Sequence, residues 1–197
     1  EAQDLRSALA SFRASGKFTA VFAEDFGAMG NGTTPYYLAA AFDEIWLQPS
    51  GAVGLTGIAL EIPYFREALE KQEITPRFEQ RHEYKGGADP FTESLMTGPA
   101  RESLQGLANG WLTQIVVGIE QNRPALAGKV QGLVDSGPHL GADALANGLV
   151  DKLGYWDEFE TDIEGKAGED FDWVSVDQYA AAAKASLRSG DAGNRLR

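Results

Sequence analysis

Cysteine is absent from this 197-residue chain, which removes disulfides, thiolate zinc sites and cysteine nucleophiles together. That absence fixes no compartment, because cytoplasmic and periplasmic proteins can both lack the residue. Histidine is scarce: His82 and His139 stand far apart in sequence without ligand spacing around them. A metal site would have to be completed by carboxylates alone, and neither histidine sits in a recognisable Ser-His-Asp constellation, so no metal or cofactor is expected. Positive charge is also short, 17 Lys and Arg against 29 Asp and Glu, for a formal charge of −12. A surface so acidic repels phosphate backbones, so nucleic acid is not an expected partner. No run of Lys and Arg offers a patch for an anionic membrane. No stretch approaches the roughly 20 apolar residues needed to cross a bilayer. The opening Glu1-Ala2-Gln3-Asp4 does not read as a signal peptide.

What is present suits a globular domain. Hydrophobic residues make up 43% and aromatics 10%, enough apolar material for a proper core. Leu5, Ala8, Leu9 and Phe12 fall on one helical face, so the sequence opens inside an amphipathic helix. It closes on the polar run from Ser186 to Arg197. The expectation is a fragment of a longer protein, with one domain over 1–183 and a linker over 184–197.

The helix at the start ends at Gly16, and Phe18 to Ala23 reads as a buried strand. A glycine-rich loop, Gly27 to Gly32, precedes a short helix opened by Pro35 and running to Phe42. Ile45-Trp46-Leu47 is a second strand closed by Pro49-Ser50-Gly51. Leu55 to Ile62 continues as strand, and Tyr64 to Gln72 as helix with Phe65, Ala68 and Leu69 inward. Arg77 to Glu83 is a polar strand. The clearest helix spans 97–121, with Thr97 as cap, Pro99 in its first turn and apolar residues from Leu104 to Ile119 at helical spacing. Short helices follow at 130–134 and 142–146, and short strands at 149–151 and 173–176. Strands alternating with helices imply an α/β layered domain.

Few residues could carry chemistry. The glycines from Gly27 to Gly32 lack a Gly-Lys-Ser/Thr ending, and their spacing does not match a dinucleotide fingerprint, so they read as a structural turn. Thr33, Thr34 and Ser50 are candidate nucleophiles only by residue type, since hydroxyls in such turns commonly make local hydrogen bonds. Lys85 follows Tyr84 and precedes Gly86 and Gly87, glycines that let backbone pass close to a ligand or partner. It is either a solvated loop lysine or a functional amine. To act as a base it would need its pKa lowered by about 3 from about 10.4, about 4 kcal/mol of disfavoured charge. An exposed loop in an acidic fragment does not supply that, so the chemistry requires something to cover the loop.

Four segments in order resemble one family. They are Tyr36 to Gly51, containing Asp43-Glu44-Ile45-Trp46-Leu47; Val53 to Gly57; Tyr84 to Thr92; and Asn147 to Gly154, containing Gly148-Leu149-Val150-Asp151. Together they resemble the signal peptide peptidase A, or protease IV, family. The resemblance implies a ClpP/crotonase-like fold, a superhelix of strand-strand-helix units, here incomplete at the N-terminus. In the family's long form two such domains occur in tandem, the amino-terminal copy giving a lysine and the carboxy-terminal copy a serine. This chain is similar to the amino-terminal copy, and Lys85 falls on the motif's lysine. Where the serine-bearing copy has its nucleophile, this chain has Thr33-Thr34-Pro35-Tyr36. Gly86 stands where a small hydroxyl residue usually follows the lysine.

The resemblance implies nucleophilic catalysis: a serine attacks a peptide carbonyl, and neutral Lys85 takes its proton and returns it to the leaving amine. It further implies hydrophobic peptide substrates such as cleaved signal peptides, a serine-bearing second domain as partner, and homo-oligomer assembly. The implied location is the periplasmic side of a bacterial inner membrane, with the anchor outside this chain. Two other readings stand beside it: a non-catalytic scaffold copy that supports oligomer assembly, and an acyl-CoA enzyme of the crotonase type, which shares the fold by analogy only.

Overall fold

The computed structural model describes residues 1–27, 30–168 and 172–189, with side chains to residue 184. The order is α1 (Ala2–Ala14), β1 (Ala20–Ala23), α2 (Thr33–Ala39), β2 (Glu44–Leu47), β3 (Ala52–Val53), α3 (Arg66–Glu70), a 3-10 turn at Gly86–Ala88, and α4 (Asp89–Thr92). Then come α5 (Gly98–Asn122), a second 3-10 turn at Pro124–Leu126, α6 (Val130–Ser136), β4 (His139–Leu140), α7 (Gly141–Ala146), β5 (Lys152–Leu153), α8 (Trp156–Ala167) and α9 (Val176–Ser189). Residues 1–156 form one compact unit; a second begins at Asp157 and its described part is helical.

In the first unit, β1, β2 and β5 make a parallel sheet with β2 in the middle. Ala20 pairs with Glu44 and Ala23 with Leu47, while Trp46 pairs with Lys152. Ile45, Trp46 and Leu47 are all buried, as a strand flanked on both sides requires. Parallel strands need crossovers. The one between β1 and β2 holds α2, whose Tyr36, Tyr37 and Ala39 are buried. The core gathers Phe26, Tyr36, Ile45, Leu47, Leu55, Ile119 and Val130. A separate antiparallel pair joins β3 to β4.

Two aspartates from the sequence blocks described above tie the elements together. Asp43 accepts from Thr19 N (2.9 Å), Thr19 Oγ1 (2.8 Å) and Arg13 Nε (2.7 Å), linking α1, β1 and β2. Burial works to raise its carboxyl, but the bonds from Thr19 and Arg13 outweigh that and hold it below the usual range. Asp151 accepts from Ile45 N (2.8 Å) and from both terminal nitrogens of Arg123 (2.7 and 2.8 Å). Arg123 also donates to Gly148 O, and Tyr36 Oη donates to Leu149 O (2.7 Å). The middle strand, the end of α5 and the approach to β5 thus meet at one carboxylate.

Several expectations are corrected. The apolar stripe of α1 is not its buried side: Leu5, Ala8 and Phe12 are exposed and Arg6 is buried. The Arg6 guanidinium donates to the carbonyls of Tyr37 and Gly118 and lies over the Tyr37 ring, partners a leucine could not use. Residues 55–62 and 77–83 form no ladder; among the described residues no strand pairs with them. Phe65 and Ala68 are exposed rather than inward, because α3 packs beside α4 away from the core, with Phe65, Phe91 and Phe78 stacked at 6.0 and 5.9 Å. The strand expected at 149–151 falls at 152–153. Residues 173–175 are irregular and Val176 opens a helix. The part of the closing polar run beyond residue 189 lies outside the described residues.

Replacing Asp151 with Ala should cost about 2–4 kcal/mol, because it strands the Ile45 N–H and the Arg123 charge. Urea unfolding of the variant against wild type measures this; a loss below about 0.5 kcal/mol would count against the role given to Asp151.

Candidate active site

Helix α5 supports the lysine loop. Thr97 caps it through a bond from Ala100 N to Thr97 Oγ1 (3.3 Å), as the sequence predicts. Its C-terminal half carries the buried Ile115, Gly118 and Ile119. In and just past its N-terminal half, Leu107 and Trp111 are each 44% exposed, so the predicted apolar stripe runs past the edge of the core.

Residues 82–92 lie against that N-terminal half. Lys85 N donates to His82 O and Gly87 N to Lys85 O, both at 2.9 Å, which closes two successive tight turns. Tyr84 Oη donates to Glu102 Oε2 on α5 (2.8 Å), and this bond raises the phenol's pKa. Lys85 is exposed, and among the described residues its ammonium makes no ion pair or hydrogen bond. An open hollow of about 420 Å³ beside it is lined by Arg81, His82, Glu83, Asp89 and Glu93 among others. Nothing in the described residues takes the amine out of water.

The other candidates are accounted for elsewhere. Thr33 is 1% exposed; its hydroxyl donates to Gly57 O (2.8 Å) and accepts from Gly57 N (3.1 Å). A hydroxyl used in both directions and closed to solvent cannot attack a substrate. Thr34 is exposed, and exposed Ser50 accepts from Gln48 Nε2. The structure does not join these hydroxyls to Lys85 by any described bond. His139 is buried with Nε2 at 2.8 Å from Leu133 O, and His82 is an exposed loop residue.

The glycine-rich turn is structural. Gly27 has a φ of 74°, which glycine adopts without strain. A Cβ on Gly32 would run into Phe26 O, and one on Gly54 into Gly27 O. Backbone is packed on backbone here, where a phosphate loop would leave room for an anion.

Sequence reasoning missed Asp89. It is 4% exposed, whereas Glu83, Tyr84, Lys85 and Gly87 around it are exposed. Its Oδ2 accepts from Thr97 Oγ1 at 3.1 Å. The available signal was Asp89-Pro90 at the start of a helix, eight residues before a capping threonine.

The class is that of the peptidases. Residues 12–169 match the profile of peptidase family S49, and the chain belongs to that family. It is similar to the protein named Protease 4 of Salmonella typhi, 29% identical over 178 residues, which are 86% of this chain and 27% of that protein. Protease 4 of Haemophilus influenzae is 30% identical over 116 residues, covering 59% of this chain and 18% of that protein. The chloroplastic serine protease SPPA of Arabidopsis thaliana is 22% identical over 189 residues, 94% of this chain and 27% of that protein. The chain therefore spans between 18% and 27% of the length of these relatives.

Thr33→Val should lower stability by about 1–3 kcal/mol, because Gly57 N–H and C=O lose their common partner in a buried place. Thermal or denaturant unfolding reads this directly. A variant as stable as wild type would show that the hydroxyl is not committed to Gly57.

Proposed function

We propose that this chain is the lysine-bearing half of a serine/lysine-dyad endopeptidase, with Lys85 as general base and the nucleophilic serine on a second domain of the same protein. The observation that carries the reading is the state of Lys85: an uncovered amine, on a loop fastened to α5, inside a domain of a peptidase family. The Thr33 hydroxyl is occupied, which favours a nucleophile from elsewhere. Leu107 and Trp111, on the helix that anchors the loop, are left partly in water and are suited to a covering domain. The ClpP/crotonase-like superhelix belongs to the same reading, and the parallel sheet with its helical crossovers is consistent with it.

In the assembled site the second domain covers Lys85 and strips water from the amine, which favours the neutral form. The neutral amine takes the serine hydroxyl proton as the oxygen attacks the peptide carbonyl. The proton then passes to the leaving amine, and water repeats the cycle on the acyl-enzyme. Oxyanion donors come from outside this chain. Hydrophobic peptides, such as cleaved signal peptides, are the substrates, at the periplasmic face of a bacterial inner membrane, and copies assemble into a homo-oligomer.

Lys85→Ala in the full-length polypeptide should lower cleavage of a hydrophobic signal-like peptide by about a thousandfold, within the range general bases supply. Lys85→Arg should not restore it, since a guanidinium does not give up its proton. A folded Lys85→Ala protein that cleaves like wild type would end the dyad reading and leave the scaffold role as the better one.

A further inference from the structure

We propose that Asp89 is a positioning residue for Lys85, fixing the lysine loop to the capped end of α5. The inference rests on the reading of Lys85 as the base. A carboxylate withdrawn from water needs a hydrogen-bond partner, and Asp89 has one in Thr97. Its Oδ2 accepts from Thr97 Oγ1 at 3.1 Å, and the same Thr97 oxygen accepts from Ala100 N. The carboxylate also lies close against Gly86, the residue that follows the lysine, where the absence of a side chain leaves it room. A Cβ built on Gly86 would stand 2.7 Å from Asp89 Oδ2 and 3.0 Å from its Cγ. The carboxylate occupies the place that a side chain at 86 would take.

A continuous mechanical path results, from the buried part of α5 through Thr97 and Asp89 to Gly86 and so to Lys85. The helix is held in the core by Ile115 and Ile119, and Ile115 lies about 27 Å along the axis from Thr97 at 1.5 Å per residue. Asp89 therefore controls where the loop sits more than whether the core forms. An amine that must reach a serine on another domain tolerates little misplacement, and about 1 Å can cost on the order of a hundredfold.

The test uses the full-length polypeptide and a hydrophobic peptide, with Asp89→Ala, Gly86→Ala and the double variant. Asp89→Ala should lower kcat by about 10- to 100-fold while KM and the unfolding midpoint stay near wild type. Gly86→Ala should also lower kcat, because its new methyl displaces the carboxylate. The double variant should be no worse than Asp89→Ala alone, since the two changes strike one contact. Gly86 does not have a left-handed φ, so Gly86→Ala carries the test even where Asp89→Ala does not fold. Unchanged kcat in Gly86→Ala and in folded Asp89→Ala would overturn the proposal, as would losses that simply multiply in the double variant. Lys85→Ala in the same assay separates the two claims. If it cleaves like wild type, the dyad reading falls and the Asp89 role with it. If it is inactive while the Asp89 and Gly86 variants are fully active, the Asp89 role alone falls.

Discussion

The carboxylate of Asp151 is the contact on which the arrangement depends. It receives the N–H of Ile45 in the middle strand and the guanidinium of Arg123 just past the end of α5. Burial disfavours the charge on Arg123, but the bonds to Asp151 outweigh that and raise its pKa. With its C-terminal end fixed beside the sheet, a helix of 25 residues can run out beyond the core and still hold its far end in place. The lysine loop is fastened at that far end, through Tyr84 to Glu102 and Asp89 to Thr97. The loop has little burial of its own and inherits its position from α5.

A second constraint acts at Lys85 and comes from solvent. A lysine base must be dry, and this one lies in water with its ammonium unpaired among the described residues. A chain of net charge −12 gives no help in making an amine neutral. The sequence blocks that place this chain in its family divide accordingly. Asp43 and Asp151 hold the sheet and helices together, Gly54 permits backbone contact, and the block around Lys85 presents an exposed amine with no described ion pair or hydrogen bond. A half-site reading asks for that division, with one domain supplying scaffold and base and a second domain of the same protein supplying nucleophile and cover.

The elements that could be read from sequence are those whose signals are local. Helix α5 was legible from Thr97 onward because a cap, an early proline and a long helical period agree. Strand β2 was legible because Ile45 to Leu47 form the continuous apolar run of a central parallel strand. Helix α1 was legible as a helix but not in its orientation, since the buried contact is made by Arg6 through carbonyls contributed by residues 37 and 118. The strands read at 55–62 and 77–83 have strand-like composition, yet a strand exists only where a partner does, and pairing is not a local property. At the site, the lysine was found by its motif, while Asp89 was not, because its burial arises from Thr97 and Gly86 closing around it.

The account turns on whether Lys85 meets a serine from outside this chain. The most direct measurement is the distance from Lys85 Nζ to the nearest serine Oγ in an experimental structure of the full-length polypeptide. The account predicts a separation of about 2.6–3.2 Å, the reach of a proton-transferring pair, with the amine enclosed by the second domain. Lys85 left in solvent with no serine hydroxyl within reach would contradict it.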